Sequence, residues 1–217
     1  MFQIKNRFTG AVIFECELSA DVVDKEYRFQ LGFAVKKAVE ARANLARANL
    51  AGAYLGGANL ADANLARANL AGAYLGGANL ADANLADANL ADAYIGGANL
   101  ARANLAGAYL GGANLARANL AGAYLADAKW SDGIIINKRP MQLYGLDYSV
   151  TILDDHMQIG CELHALSEWS DFDDRRIAQM DGLRSAKFWK AHKDALLSLA
   201  ASAGRSVEIA AGMEDNT

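Results

Sequence analysis

From Ala43 to Asp62 the chain reads ANLARANLAGAYLGGANLAD, and from Ala63 to Asp82 it reads the same twenty residues again. Inside that block a shorter unit of five recurs. Leucines fall at Leu45, Leu50, Leu55, Leu60 and onward to Leu125, with Ile95 the one replacement, which makes 17 centres. Two residues before each centre stands an alanine, from Ala43 to Ala123. A helix advances by about 100° per residue, so a period of five would scatter these leucines around its whole circumference. The pairs Gly56-Gly57, Gly76-Gly77, Gly96-Gly97 and Gly111-Gly112 would each cost a helix about 2 kcal/mol relative to alanine.

Short extended segments solve the problem. Alternate residues of such a segment share a face, so each centre and the alanine two before it point inward together. Gly, Asp and Asn between segments suit tight corners. The duplication marks the circuit at twenty residues, which is four sides of five. Seventeen repeats then give about four and a quarter circuits, roughly 20 Å tall at the spacing of paired strands. In this register Leu45, Leu65, Leu85, Leu105 and Leu125 stack in one inward column, and Tyr54, Tyr74 and Tyr94 stack above one another on one side of the coil. Tyr109 and Tyr124 each fall one side earlier around the coil. The core is narrow and built largely of small side chains.

The unit of a small residue, Asn, Leu and two variable positions resembles the repeat of the pentapeptide repeat family. The resemblance implies a mainly β fold, a right-handed quadrilateral β-helix, and supplies both the handedness and the square section. It also implies that the residue before each centre points outward, which makes Tyr54, Tyr74 and Tyr94 an aromatic strip suited to protein contact. Five tyrosines replace Asn in this chain, and the residue before them is nearly always Ala. The monotony and the duplication fit either recent repeat expansion or a consensus sequence. The run Thr151 to Cys161, TILDDHMQIGC, is similar to the flanks of phage and bacterial members of the family.

The division expected is an N-terminal cap over 1–42, the repeat block over 43–130 and a small α+β cap segment over 131–217. A solenoid end exposes a backbone edge and a core section, so both ends call for covers. In the first flank Ile13 and Leu18 fit the repeat as centres, with Cys16 in the inward small position. Ser19 or Asp21 then caps a helix running to about Ala41, whose apolar stripe is Leu31, Ala34, Val35, Ala38 and Val39. In the last flank, Ile134–Ile136, Ser149–Leu153 and Met157–Ile159 read as strands, with turns at Asp132-Gly133 and Asp154-Asp155. One helix runs from a Ser167 cap to about Met180. Another runs from about Ser185 to Ala203 on Phe188, His192, Ala195, Leu196 and Leu199, followed by an unstructured tail after Val207.

Composition narrows function. The net charge of −4 has the wrong sign for a general nucleic-acid or anionic-membrane binder. The N-terminal MFQIKNRFTG has no secretory pattern, and no apolar run is long enough to cross a membrane. Two distant cysteines, Cys16 and Cys161, form no disulfide framework, so a cytoplasmic location is expected. Within the repeats four Arg face five Asp, a net of −1. Some family members imitate duplex DNA and inhibit type II topoisomerases such as gyrase, but duplex DNA carries a charge every ~1.7 Å. Asp82 with Arg102, and Arg67 with Asp87, lie one circuit apart as exposed pairs.

Cys161 and His164, with His156 and Asp155 near, are the residues a thiol enzyme would use. On a strand Cys161 and His164 would point to opposite faces, and zinc would want a fourth ligand. The reading is therefore a non-enzymatic structural or interaction scaffold. No metal or cofactor is expected, and the partner is another protein or a second copy of the chain.

Overall fold

The computed structural model describes residues 1–131, 133–143 and 145–205. The expected turn residue Asp132 and the tail after Val207 lie outside them. The chain divides into two compact units, Met1–Arg139 and Pro140–Thr217.

In the first unit, the backbone of the repeat block pairs with itself at one fixed offset. Parallel bridges join residues twenty apart in four ladders: Asn49–Asn69–Asn89–Tyr109–Lys129, Tyr54–Tyr74–Tyr94–Asn114, Asn59–Asn79–Asn99–Asn119 and Asn64–Asn84–Asn104–Tyr124. Each rung has two hydrogen bonds, as where Asn69 N–H donates to Ala48 O (2.8 Å) and Leu50 N–H to Asn69 O (2.8 Å). A third bond per repeat holds the corner, as where Asp82 N–H donates to Ala101 O at 2.9 Å. No side is longer than a bridge, because the chain turns after every third residue.

Those turns require a left-handed backbone. The second residue after every centre from Leu45 to Leu125 has φ between +55° and +69°. Eight of these 17 corners are glycine, which reaches that region freely; the others are Arg or Asp, such as Arg47, Arg67, Asp82 and Asp127. A side chain there costs about 1 kcal/mol or more, so the coil tolerates strain at nine corners in exchange for polar side chains on its surface.

Inside, each Leu from Leu45 to Leu110 is 0–1% exposed, as is Ile95, and nearly every partner alanine is buried. Leu115, Leu120 and Leu125 open slightly, to 3–6%, because no later turn lies over them.

The N-terminal flank meets the first turn differently from expectation. Ile13 and Leu18 are only half-buried and are not sides of the coil. Val12–Cys16 (β2) instead pairs antiparallel with Phe2–Lys5 (β1), and β1 continues onto the coil edge. Asn49 N–H donates to Lys5 O and Arg7 N–H to Arg47 O, both at 2.8 Å. Two strands that satisfy each other through a hairpin need no repeat register, which explains the difference. Cys16 is half-buried, and its thiol pKa is raised, chiefly by desolvation.

The helix α1 spans Tyr27–Glu40 and begins later than Ser19 or Asp21. The Ser19 carbonyl accepts from Val22 and Val23 N–H in a turn that does not propagate. Leu31, Gly32, Ala34, Val35 and Ala38 form the buried face of α1. Tyr54 N–H donates to Arg28 O at 3.0 Å, and a Cβ on Gly32 would lie 2.0 Å from Tyr54 O. Glycine at 32 is what lets the helix touch the first turn's backbone. A hairpin of Ala128–Ser131 (β3) and Ile134–Ile136 (β4) follows the last repeat.

The second unit is a four-stranded antiparallel meander, Met141–Leu143 (β5), Val150–Ile152 (β6), His156–Ile159 (β7) and Glu162–Ala165 (β8), with two helices. β5 and β8 were not read from the sequence; both are short and half-buried, so they lack a clean period of two. The helix expected from Ser167 to Met180 is broken. Leu166–Asp171 (α2) stops where Phe172 turns extended, and Asp173 caps α3 (Asp174–Ser202) by accepting from Arg176 N–H at 2.7 Å. Non-helical angles at Asp181 and Gly182 divide α3. Its buried residues are Ile177, Ser185, Phe188, Trp189, Leu196 and Ala200, with Ala195 exposed; the buried stripe is rotated from the one expected because Trp189 enters the core. There Val150, Ile152, Met157, Leu166, Trp169 and Trp189 pack together.

Removing a centre from the middle of the coil leaves a void that the neighbouring turns cannot close. Leu85→Ala should lower unfolding free energy by about 2–5 kcal/mol in chemical denaturation, whereas Leu183→Ala, 78% exposed, should stay within about 0.5 kcal/mol.

Candidate interaction surface

The residue before each centre decides what the outside of the coil looks like. Where it is Asn, Asn49 excepted, its Oδ1 accepts from the N–H two residues on, as Asn79 accepts from Ala81 (3.2 Å) and Asn104 from Ala106 (3.0 Å). The amide so caps the corner that follows. In two columns the amides also join from turn to turn, with Nδ2 of Asn69, Asn89, Asn79, Asn99 and Asn119 each donating to the Asn one turn earlier at 3.1–3.3 Å.

Tyrosine cannot make that cap, and the sequence changes with it. After Tyr54, Tyr74, Tyr94 and Tyr109 the residue two on is Gly56, Gly76, Gly96 or Gly111 in place of Ala. A Cβ at Gly76 would lie 2.8 Å from Cε1 of Tyr94 and 3.0 Å from Cζ of Tyr74. At Gly56 it would lie 2.7 Å from Cε1 of Tyr74. These glycines are seats for rings. Tyr124 is followed by Ala126, has no such seat, and is 60% exposed.

The seated rings form one strip. Tyr54 and Tyr74 stack with centroids 5.0 Å apart and planes 2° from parallel; Tyr74 and Tyr94 stack at 5.0 Å and 8°. Phe29 of α1 extends the strip, 4.8 Å from Tyr54. The three tyrosines keep 39–41% of their surface exposed. The Tyr-x-Gly coupling was visible in the sequence, but glycine there reads first as a corner residue. Phe29 carried no signal, because only the fold brings α1 beside Tyr54.

The charged pairs divide. Arg102 Nε and Nη2 donate to Asp82 Oδ1 and Oδ2 at 2.8 and 2.6 Å, across one turn. Arg67 is not paired with Asp87; its guanidinium lies 6.0 Å from the Phe8 ring, and the Arg7 side chain reaches the carbonyls of Arg67 and Ala68.

Cys161 lies exposed in the turn between β7 and β8. His164 is half-buried on β8, where Nε2 meets Glu162 Oε2 at 3.0 Å and the ring packs edge-on against Trp169 and Phe172. His156 Nδ1 lies 2.7 Å from Asp155 Oδ1. The histidines are thus engaged with carboxylates and aromatic rings, and no Cys–His hydrogen bond occurs among the described residues. Nor do the described residues contain a cluster of three metal-ligating side chains, and no helix is long and apolar enough to cross a membrane.

Residues 43–80, 63–100 and 98–129 match the family model for pentapeptide repeats, eight copies in all. The chain is similar to a solved pentapeptide repeat protein from the cyanobacterium Cyanothece 51142, with 43% identity over 42% of this chain and 62% of that one and a TM-score of 0.40. It is similar to another from Nostoc Pcc 7120, with 30% identity over 46% of this chain and 86% of that one and a TM-score of 0.23. HetL, a pentapeptide repeat protein involved in heterocyst differentiation regulation from Nostoc sp. strain PCC 7120, shares 29% identity over 43% of this chain and 66% of its own, with a TM-score of 0.16. The chain spans about 62% of the Cyanothece protein's length. No curated protein matches. On the match of eight repeat copies, the chain belongs to the pentapeptide repeat family.

Two measurements probe this surface. Gly76→Ala should displace the stacked rings and reduce the near-ultraviolet dichroism of tyrosine, while Ala81→Gly, which follows an Asn, should leave it unchanged. The Arg102 hydrogen bonds hold the Asp82 carboxyl below the ordinary carboxylate range. A depressed carboxyl contributes stability above its unfolded value and loses it as pH falls through the folded one. Arg102→Gln should therefore move the Asp82 midpoint up toward the ordinary aspartate range in carboxyl-carbon NMR.

Proposed function

We propose that this protein is a non-enzymatic scaffold whose strip of Tyr54, Tyr74 and Tyr94 is its surface for binding another protein. The observation that carries this reading is the parallel stacking of three half-exposed rings on glycine seats. Tyrosine is favoured at interfaces because it offers large contact area together with a hydroxyl. Rings already held by their neighbours lose little freedom when a partner covers them. Beyond Phe29 the strip meets a recess of about 390 Å³ that Phe33, Lys25, Lys36 and Asp21 also line. The partner is then a protein that brings an apolar or aromatic patch.

The frame we propose for residues 43–130 is the family's right-handed, four-sided coil, supported by the four ladders of twenty-residue step. Residues 1–42 serve as its N-terminal cap, and residues 131–217 are its α+β C-terminal segment. Two free thiols suit a reducing compartment, and the cytoplasm is our proposed location.

Asparagine is the residue the repeat itself uses at the strip positions, so it can replace tyrosine there without disturbing the coil. The Tyr54→Asn, Tyr74→Asn, Tyr94→Asn triple variant should fold normally yet lose the proteins that the parent retains in a pull-down from bacterial lysate. Light scattering on both forms distinguishes a second copy of the chain from a different partner. Retention of the same proteins by the triple variant would remove the strip from the reading.

A further inference from the structure

The second unit holds a cavity of about 180 Å³ between its sheet and α3. Four aromatic residues line it, Tyr148, Trp169, Phe188 and Trp189, and among the described residues its charged lining is Glu162 and Asp181, with no lysine or arginine. A cavity of about 150 Å³ is known to admit benzene, so this one has room for a ligand of roughly six heavy atoms.

The charges around the cavity are not balanced from within it. Asp181 accepts a hydrogen bond from the Tyr148 hydroxyl, and among the described residues it pairs with no cation. This carboxylate raises the pKa of Tyr148, so the phenol is the donor of that hydrogen bond. Glu162 uses Oε2 on His164. Arg184 lies 5.2 Å from the centre of the Tyr148 ring, which already engages that ring with a cation, but it is not a lining residue. An anionic ligand would enter against two carboxylates. A neutral one would leave Asp181 uncompensated. A compact cation with an apolar body satisfies both the rings, whose faces attract positive charge, and the carboxylate.

Backbone geometry fixes where the carboxylate stands. Asp181 and Gly182 are the two non-helical residues within α3, and Ser185 Oγ ties the halves together by sharing its one proton between Ile177 O and Gly182 O, at 2.8 and 2.9 Å. The residue that bears the charge is therefore also the point where the helix bends. Cys161 is exposed and also lines the cavity.

We infer that this cavity is a binding site for a small organic cation of the quaternary ammonium class. The inference is independent of the tyrosine strip, which belongs to the other unit.

Choline chloride is the probe, and 3,3-dimethylbutan-1-ol, its uncharged carbon counterpart, is the control. Titrated into the full chain, choline should quench tryptophan fluorescence saturably and slow the reaction of Cys161 with a disulfide reagent. The alcohol should need a concentration at least about fivefold higher for the same effect, which is the worth of one modest cation–π contact. Asp181→Asn keeps an acceptor for Tyr148 and should weaken choline several-fold while leaving the alcohol unchanged. Equal binding of choline and the alcohol to the unaltered chain would overturn cation recognition and leave a plain apolar cavity. Saturable binding of neither would overturn the site altogether. Both comparisons use the parent protein, so they stand even if the variant fails to fold.

Discussion

The repeat block depends on one constraint: each turn must present its backbone to the next at an offset of twenty residues. Every side is too short to be a strand by itself, with one bridge and two hydrogen bonds per rung. Isolated pairs of that length have no independent stability in water. They persist because the same offset that aligns the hydrogen bonds also stacks Leu on Leu and Ala on Ala in a dry interior. A repeat out of register by one residue would turn its leucine outward and lose both at once. The left-handed corners follow from the same demand, since nothing else returns the chain to the next side in two residues. Their strain is distributed, one corner per repeat, and the core offsets it everywhere.

The outer surface is then free to vary, and it varies by rule. Asn before the centre caps its own corner and, in two columns, joins a ladder of amides; Tyr gives up that cap and, Tyr124 excepted, takes a glycine seat in its place. Two surface textures thus share one frame, one polar and self-satisfied, the other aromatic and half-exposed. The choice between them is local to each repeat, so a patch can be written onto the coil without altering the core. Tyr124, which follows the centre spacing but lacks a glycine, marks the limit of that freedom.

The second unit works on different principles. Its core mixes aromatic rings with short strands, and its helices break where a capping carboxylate or a glycine interrupts them. Here side-chain chemistry decides the backbone, whereas in the coil a backbone offset decides the side chains. The expected helix from Ser167 failed for that reason: Glu168 accepts from Ala165 N–H at 3.0 Å and starts the helix earlier, and Asp173 claims the next start. Ser19 lost to a local turn in the same manner.

How much was legible follows from how the information is stored. A period of five with an identical block at twenty states the pairing offset, the inward residues and the column of each tyrosine in one dimension, because repeated local geometry needs no distant partner to define it. Cys161 and His164 were likewise readable as neighbours in sequence, yet only the fold shows the thiol in a turn and the imidazole held by Glu162. The β1–β2 hairpin, the seat of α1 on Gly32, the contact of Phe29 with Tyr54 and the cavity around Asp181 were set by tertiary structure alone. Each joins residues of unrelated segments through packing and hydrogen bonds that no periodicity encodes, so their meeting is decided by which surfaces close together when the chain folds.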